Sequence, residues 1–438
     1  MGTEVVNNVM DFGARGDGTS DDTGGINAAL AAAAANGNPL YLPAGTYRCC
    51  GSVTIPFSGC TVFGGGPQSL VQFEGKGSGF IVPDRTSELT MRDLGIRVDG
   101  SGGPGIFFAP PLPGVGAGGG NDCIENVAIT LENPATSAIR AGTLSVDGGV
   151  GIEEVLFRRL VLYTAGGFTA PLVALYGQGV GTLNNITFEE CWLEGGLDGQ
   201  APVVDIEPAP TSDCGGQQPC VGYVADINFE KCVFEEPNAG AVRFWSVSSA
   251  RVSACWVGDL PTLPIYPIFD IQRANTGSHT YFPGFPAGLP SGSYLFDTLN
   301  ATAGGLRPVT ITHVTPWVSA ATIYFDGSEG DGYVTLLNCK IPWIDNGTHG
   351  ANDPNPFSNP FINMGSIVYG YTGDPPVGTH EKDSEAWRFR MLAIPTGQQP
   401  LMSGSNPPNV FEDAILGPNG PNFPYQQQSA VSRVRIAG

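Results

Sequence analysis

The sequence predicts an all-β fold, a right-handed single-stranded parallel β-helix with an N-terminal capping α-helix and an irregular C-terminal segment. Three observations predict it. Short apolar segments return in one recurring frame along most of the chain. The 63 glycines and 37 prolines in 438 residues, with only 14% charged residues, describe many short strands joined by tight turns. A single stretch, close to the start, reads as a helix.

The elements follow in chain order. In "VMDFGARGDGTSDDT" Gly13, Gly16 and Gly18 permit turns, while Ser20, Asp21, Asp22 and Thr23 are placed to cap the orphan amides of a helix start. From Gly24 to Asn36 the strongest helix former occurs seven times, with Ile26, Ala29, Leu30 and Ala33 on one face and Gly37 placed to stop the helix. That apolar face covers the unpaired edge of the first coil. "LYLPAGTYR" then reads as strand, turn and strand. Residues 1–50 are thus the cap and first coil, 51–370 the β-helix, and 371–438 a segment of weak coil periodicity that covers the last coil and packs on sister subunits.

The coil repeat is visible in "LNNITFEECWLEGG" (183–196), "VADINFEKCVFEEP" (224–237), "VSSARVSACWVGD" (247–259) and "GYVTLLNCKIPW" (332–343). Cys191, Cys232, Cys255 and Cys339 fall at one place in this frame, with Leu94 and Leu160 there in weaker copies. Equivalent residues of successive coils stack roughly 4.8 Å apart, so these thiols read as an interior ladder rather than as metal ligands. Cys214 and Cys220 sit in one loop, at a spacing that permits a small disulfide.

A second set of strands alternates with the first: "PLVALYG", "PVVDIEP", "GAVRFWS", "YPIFDIQ", "SYLFDTL", "ATIYFDG" and "PFINMGS". Period-two alternation turns Val204, Ile206, Val242, Phe244, Phe269 and Ile271 inward, and the residues between them outward to solvent. The outward column runs Ala174, Asp205, Arg243, Asp270, Asp297, Asp326, Asn363, with Glu207, Trp245 and Gln272 beside it. Stacked carboxylates repel one another, raising one pKa and leaving a partner ionised, as an acid and base pair requires. The expected catalytic residues are Asp270, Asp297 and Asp205. Neighbouring coils suit the ~5–5.5 Å carboxyl separation of retaining glycosidases, and alternate coils the ~6.5–9.5 Å of inverting ones. Trp245 offers an aromatic face for a sugar ring, and Arg243, Glu207, Gln272 and Asp326 are candidate substrate contacts. The same column also suits a solvated charged face that keeps solenoid edges apart.

The motif "DFGARGDGTSDDT", a helix, and "YLPAGTY" resemble the N-terminal signature of the pectate-lyase-like superfamily of right-handed parallel β-helices, which includes pectinases, polysaccharide epimerases and bacteriophage tailspikes. The resemblance is specific over about the first 50 residues. It implies the fold and a carbohydrate bias. No G-H-G or R-I-K of the polygalacturonases is present, and no catalytic residue carries over from those families.

The formal net charge of −21, with four lysines, disfavours nucleic acid and anionic membranes as partners. No run of 18 apolar residues marks a membrane span, and "MGTEVVNN" lacks the basic and apolar regions of a signal peptide. His279, His313, His349 and His380 lie far apart, so neither metal nor cofactor is expected. The reading that gathers these points is a tailspike-like receptor-binding protein, located in the virion and assembled in a host cytoplasm, that binds and hydrolyses a bacterial surface polysaccharide. The resemblance to tailspikes implies a homotrimer, attached through a phage tail or adaptor protein. A secreted polysaccharide lyase, hydrolase or epimerase is the second reading, and a non-catalytic adhesin or virion protein the third.

Overall fold

A computed structural model describes residues 5–258, apart from 101, 112–117, 134, 146, 165, 167, 179, 197–198, 212–219, 222, 238, 246 and 248–249, and then short strands from 269–272 to 434–436. Successive coils pair in parallel. Among the described residues 23 strands form one long sheet and 12 a second, shorter one, so each coil gives about two segments to the first and one to the second. The chain is a parallel β-helix.

After short strands at Asn7–Asn8 and Asp17–Asp21 comes an α-helix, α1 (Thr23–Asn36), which ends at Gly37 with φ 72°. Ile26, Ala29, Leu30 and Ala33 are buried, and the helix lies against Asn7–Asn8, Leu40–Leu42 and Val53–Thr54 of the first coil. The N-terminus is capped differently from expectation. Asp22 makes no side-chain cap; its carboxylate turns back to accept the Arg15 and Gly16 amides at 2.6 and 3.1 Å. Asp21 instead accepts from the amide and hydroxyl of Thr23, and Asp17 from the amides of Thr19 and Ser20. The Asp-rich motif therefore holds its own turn together as much as it starts the helix. Among the described residues no helix is long and apolar enough to cross a membrane.

In the long sheet a residue of positive φ splits each pair of segments: Asp93, Asn126, Arg159, Glu190, Lys231 and Ala254 occupy this corner in successive coils. The next residue of each coil points inward, giving the buried column Leu94, Val127, Leu160, Cys191, Cys232, Cys255. Each thiol in it lies 3.3–3.6 Å from a carbonyl oxygen of the preceding coil, at Phe157, Phe188 and Phe229. Burial raises the Cys191 thiol well above its ordinary range. Cys339 and Cys214 lie outside the described residues. Beside this column Phe157, Phe188 and Phe229 stack with centroids 4.6 and 4.9 Å apart.

One inward column holds a carboxyl. Asp122 stands between Leu89 and Val155, 2% exposed, one residue before the registered set Thr90, Cys123 and Leu156. Asn121, with φ 57°, sits at a corner repeated by Glu88 and Glu154, and the Asp122 Oδ1 beside it accepts the Leu89 amide at 2.8 Å. Its Oδ2 is buried without a hydrogen bond, and burial pushes the carboxyl up to about 6.

Register corrects part of the sequence reading of the shorter sheet. Among the described residues the strand after Phe269–Gln272 in this sheet is Thr322–Phe325, which pairs Asp270 with Tyr324. Asp297 and Asp326 lie outside the described residues. Phe361–Met364, which carries Asn363, joins the long sheet, and Trp343–Asn346 takes the place expected for it. Apolar alternation alone does not say which sheet a strand enters. Beyond residue 370, Arg388–Arg390, Val410–Glu412 and Ala430–Val431 add further rungs to the long sheet.

Candidate functional site

The shorter sheet is built from strands whose inward residues are apolar and fully buried: Val173 and Leu175, Val204 and Ile206, Val242 and Phe244, then Phe269. This fixes the parity of every residue between them. The opposite face carries the column Arg140, Ala174, Asp205, Arg243, Asp270, Tyr324, Asp345, one residue per coil. From Arg140 to Asp270 cation and carboxylate alternate along its charged rungs. In a parallel stack identical residues face one another, so a repeated charge would repel itself, whereas alternation turns each contact into attraction.

The middle of the column holds a buried ionic network. Arg243 donates from Nε to Asp205 Oδ1 and from Nη2 to Asp205 Oδ2, both at 2.6 Å, and from Nη2 to Glu207 Oε1 at 3.1 Å. The Tyr176 hydroxyl donates to Asp205 Oδ2 at 3.2 Å, reaching diagonally from the rung of Glu207. Asp205 is 0%, Glu207 1% and Arg243 8% exposed, so the expectation of a solvated column fails here although its parity holds. The guanidinium fork matches a carboxylate edge and makes this pair bidentate. Complete burial pushes the Asp205 carboxyl up to about 6, opposed by Arg243 and reinforced by Glu207. One guanidinium serving two carboxylates leaves an excess negative charge, which a proton relieves. Burial also works against the Arg243 charge, but Asp205 and Glu207 outweigh it and hold the group above its ordinary range.

Of the residues singled out from sequence, Asp205, Glu207 and Arg243 come together directly. Asp270 follows Arg243 on the next rung and Gln272 follows Trp245. Sequence reasoning missed Tyr176, Arg140, Tyr324 and Asp345. Tyr176 was legible, two residues beyond Ala174 and thus of the same parity. The others required knowing which strands neighbour one another. Among the described residues no group of three or more His, Cys, Asp or Glu side chains is placed to hold a metal.

Residues 6–93 match the family described as "Rhamnogalacturonase A/epimerase, pectate lyase-like". Over that stretch the chain is similar to pectate-lyase-like proteins, and the parallel coils that follow are those of a β-helix. Over 73 residues it is 51% identical to mannuronan C5-epimerase AlgE2 of Azotobacter vinelandii, a stretch that is 16% of this chain and 7% of that protein's length. Among solved structures it resembles the Agl-KA catalytic domain, with TM-score 0.57 and 15% identity over 100% of this chain and 69% of the other. It also resembles ORF18 of Geobacillus virus E2, with TM-score 0.51 and 12% identity over 84% of this chain and 61% of the other. At these identities the two structures speak for the fold alone.

Proposed function

We propose that this chain is a tailspike-like, virion-borne protein that binds a bacterial surface polysaccharide and hydrolyses it at the outer face of the shorter sheet. The observation that carries the reading is the alternating column Arg140, Asp205, Arg243, Asp270, with Arg243 locked by Asp205 and Glu207. Asp205, out of reach of solvent, acts through Arg243 as a positioning residue. Asp270, on the far side of Arg243, is the group that meets substrate. Asp345 lies two rungs beyond Asp270 with Tyr324 between them. Two rungs are ~9.6 Å at the backbone. This suits the ~6.5–9.5 Å between carboxyl groups in inverting glycosidases. One carboxylic acid gives its proton to the glycosidic oxygen as that bond breaks. The other carboxylate takes a proton from the water whose oxygen adds to the anomeric carbon. A homotrimer held by a tail or adaptor protein belongs to the same reading.

A second reading, a polysaccharide epimerase or lyase, draws on the 51% identity over 73 residues to a mannuronan C5-epimerase. The test is product analysis on a set of purified bacterial capsular polysaccharides and on alginate. Hydrolysis yields shorter chains with new reducing ends and saturated termini. Lyase action yields ultraviolet-absorbing unsaturated ends, and epimerisation in heavy water labels C5 without shortening the chain. Either of the latter outcomes overturns the hydrolase, and binding without chemical change leaves the adhesin.

A further inference from the structure

On the long sheet, the outward residues just past the positive-φ corner form another column: Val161, Trp192, Val233 and Trp256 in successive coils. Val161 is 48% and Trp192 43% exposed, among the few large apolar side chains left in water. Trp256 is half-buried, and the six-membered ring of its indole lies against Gly258, where a side chain would collide with it. The two tryptophans are two rungs apart, ~9.6 Å along the helix axis.

We infer that this stripe binds a neutral glycan chain laid along the β-helix axis, at a place separate from the charged column of the shorter sheet. The chemistry of both edges favours a sugar over an apolar protein surface. On one side Glu194 and Glu235 stand directly opposite each other; on the other Lys231 pairs with Glu190 at 3.5 Å. An aromatic centre between two polar rims matches a pyranose, whose ring faces are apolar and whose rim carries hydroxyls. The rung spacing is close to the advance of one hexose in an extended glycan, so alternate sugars meet Trp192 and Trp256 in register. The facing carboxylates Glu194 and Glu235 accept hydroxyl hydrogens but repel a polyuronate, which makes the preferred chain neutral.

Affinity gel electrophoresis of the full chain tests this, with hydroxyethylcellulose, dextran and galactomannan as neutral probes and alginate as the anionic one. At least one neutral probe is expected to retard the protein. Trp192→Ala and Trp256→Ala should each weaken that retardation at least fivefold, Trp192→Phe should restore most of it, and alginate should have no Trp-dependent effect. Thermal unfolding of each variant confirms that the fold is kept, and cleavage is scored separately, so loss of the hydrolase reading leaves this one standing. Retardation by none of the neutral probes, or retardation of both alanine variants equal to that of wild type, overturns it. A light-scattering mass that falls in Trp192→Ala also overturns it, since the stripe would then be a contact between copies of this chain.

Discussion

Two stacked ladders run through this molecule under opposite rules. Inside the coils, like stacks on like: Phe157, Phe188 and Phe229 repeat with ring centroids 4.6 and 4.9 Å apart. On the outer face of the shorter sheet the charged column alternates instead, with Arg243 on the rung between Asp205 and Asp270. Repetition is favourable for dispersion, which grows with each matched surface, and unfavourable for charge. A parallel β-helix can therefore repeat its core from coil to coil, but it must vary any polar column that it buries. Such variation is where chemistry enters the fold.

Four perturbations sharpen or break this contrast. The largest stability loss is expected for Phe188→Ala, which opens a cavity between two stacked rings and should cost about 3–5 kcal/mol in denaturant unfolding. A loss under about 1 kcal/mol would mean that the ring stack contributes little.

Arg243→Met should cost nearly as much, about 3–5 kcal/mol, because it leaves Asp205 and Glu207 buried without their cation. Adding Asp205→Asn and Glu207→Gln to Arg243→Met should recover most of the loss. If the triple variant is as unstable as the single one, packing rather than charge governs this ladder.

The inward carboxyl of Asp122 gives a smaller, pH-dependent effect. Its pKa rises from the ordinary 3.8 to about 6, so the folded state holds the proton more tightly than the unfolded state does. Its contribution to stability is therefore most favourable at low pH, falls as pH rises from about 4 to about 6, and is constant above that. The full penalty is on the order of 3 kcal/mol. Asp122→Asn keeps an acceptor for the Leu89 amide and removes the charge. Relative to wild type its urea midpoint should gain between pH 5 and 7.5, and an unchanged difference across that range would show that Asp122 is not protonated in the folded protein.

How much of this was legible in the sequence depended on what kind of information each feature needs. The helix α1, the inward cysteine column and the parity of Asp205 and Arg243 follow from local periodicity, which one strand or one turn already displays. Strand order does not. Nothing local to residues 360–366 tells which sheet a short apolar strand joins, and register puts Asn363 in the long sheet while Tyr324 and Asp345 follow Asp270 in the shorter one. Burial of the Asp205 network was likewise hidden. It depends on what lies over the outer face, whereas alternation reports only which side of the strand a residue occupies. The cap was misassigned for a related reason, since Asp22 can bond the helix start or the turn before it, and only geometry decides for the Arg15 and Gly16 amides.

The fourth perturbation addresses the central claim, that the alternating column sets Asp270 against substrate while Asp205 acts behind it through Arg243. The measurement is steady-state hydrolysis of a cleaved capsular polysaccharide by wild type and Asp270→Asn, with unfolding midpoints recorded alongside. The account predicts that kcat falls at least about a hundredfold while KM and the midpoint stay near wild type. Wild-type turnover by Asp270→Asn would contradict it and remove the shorter-sheet column from the chemistry.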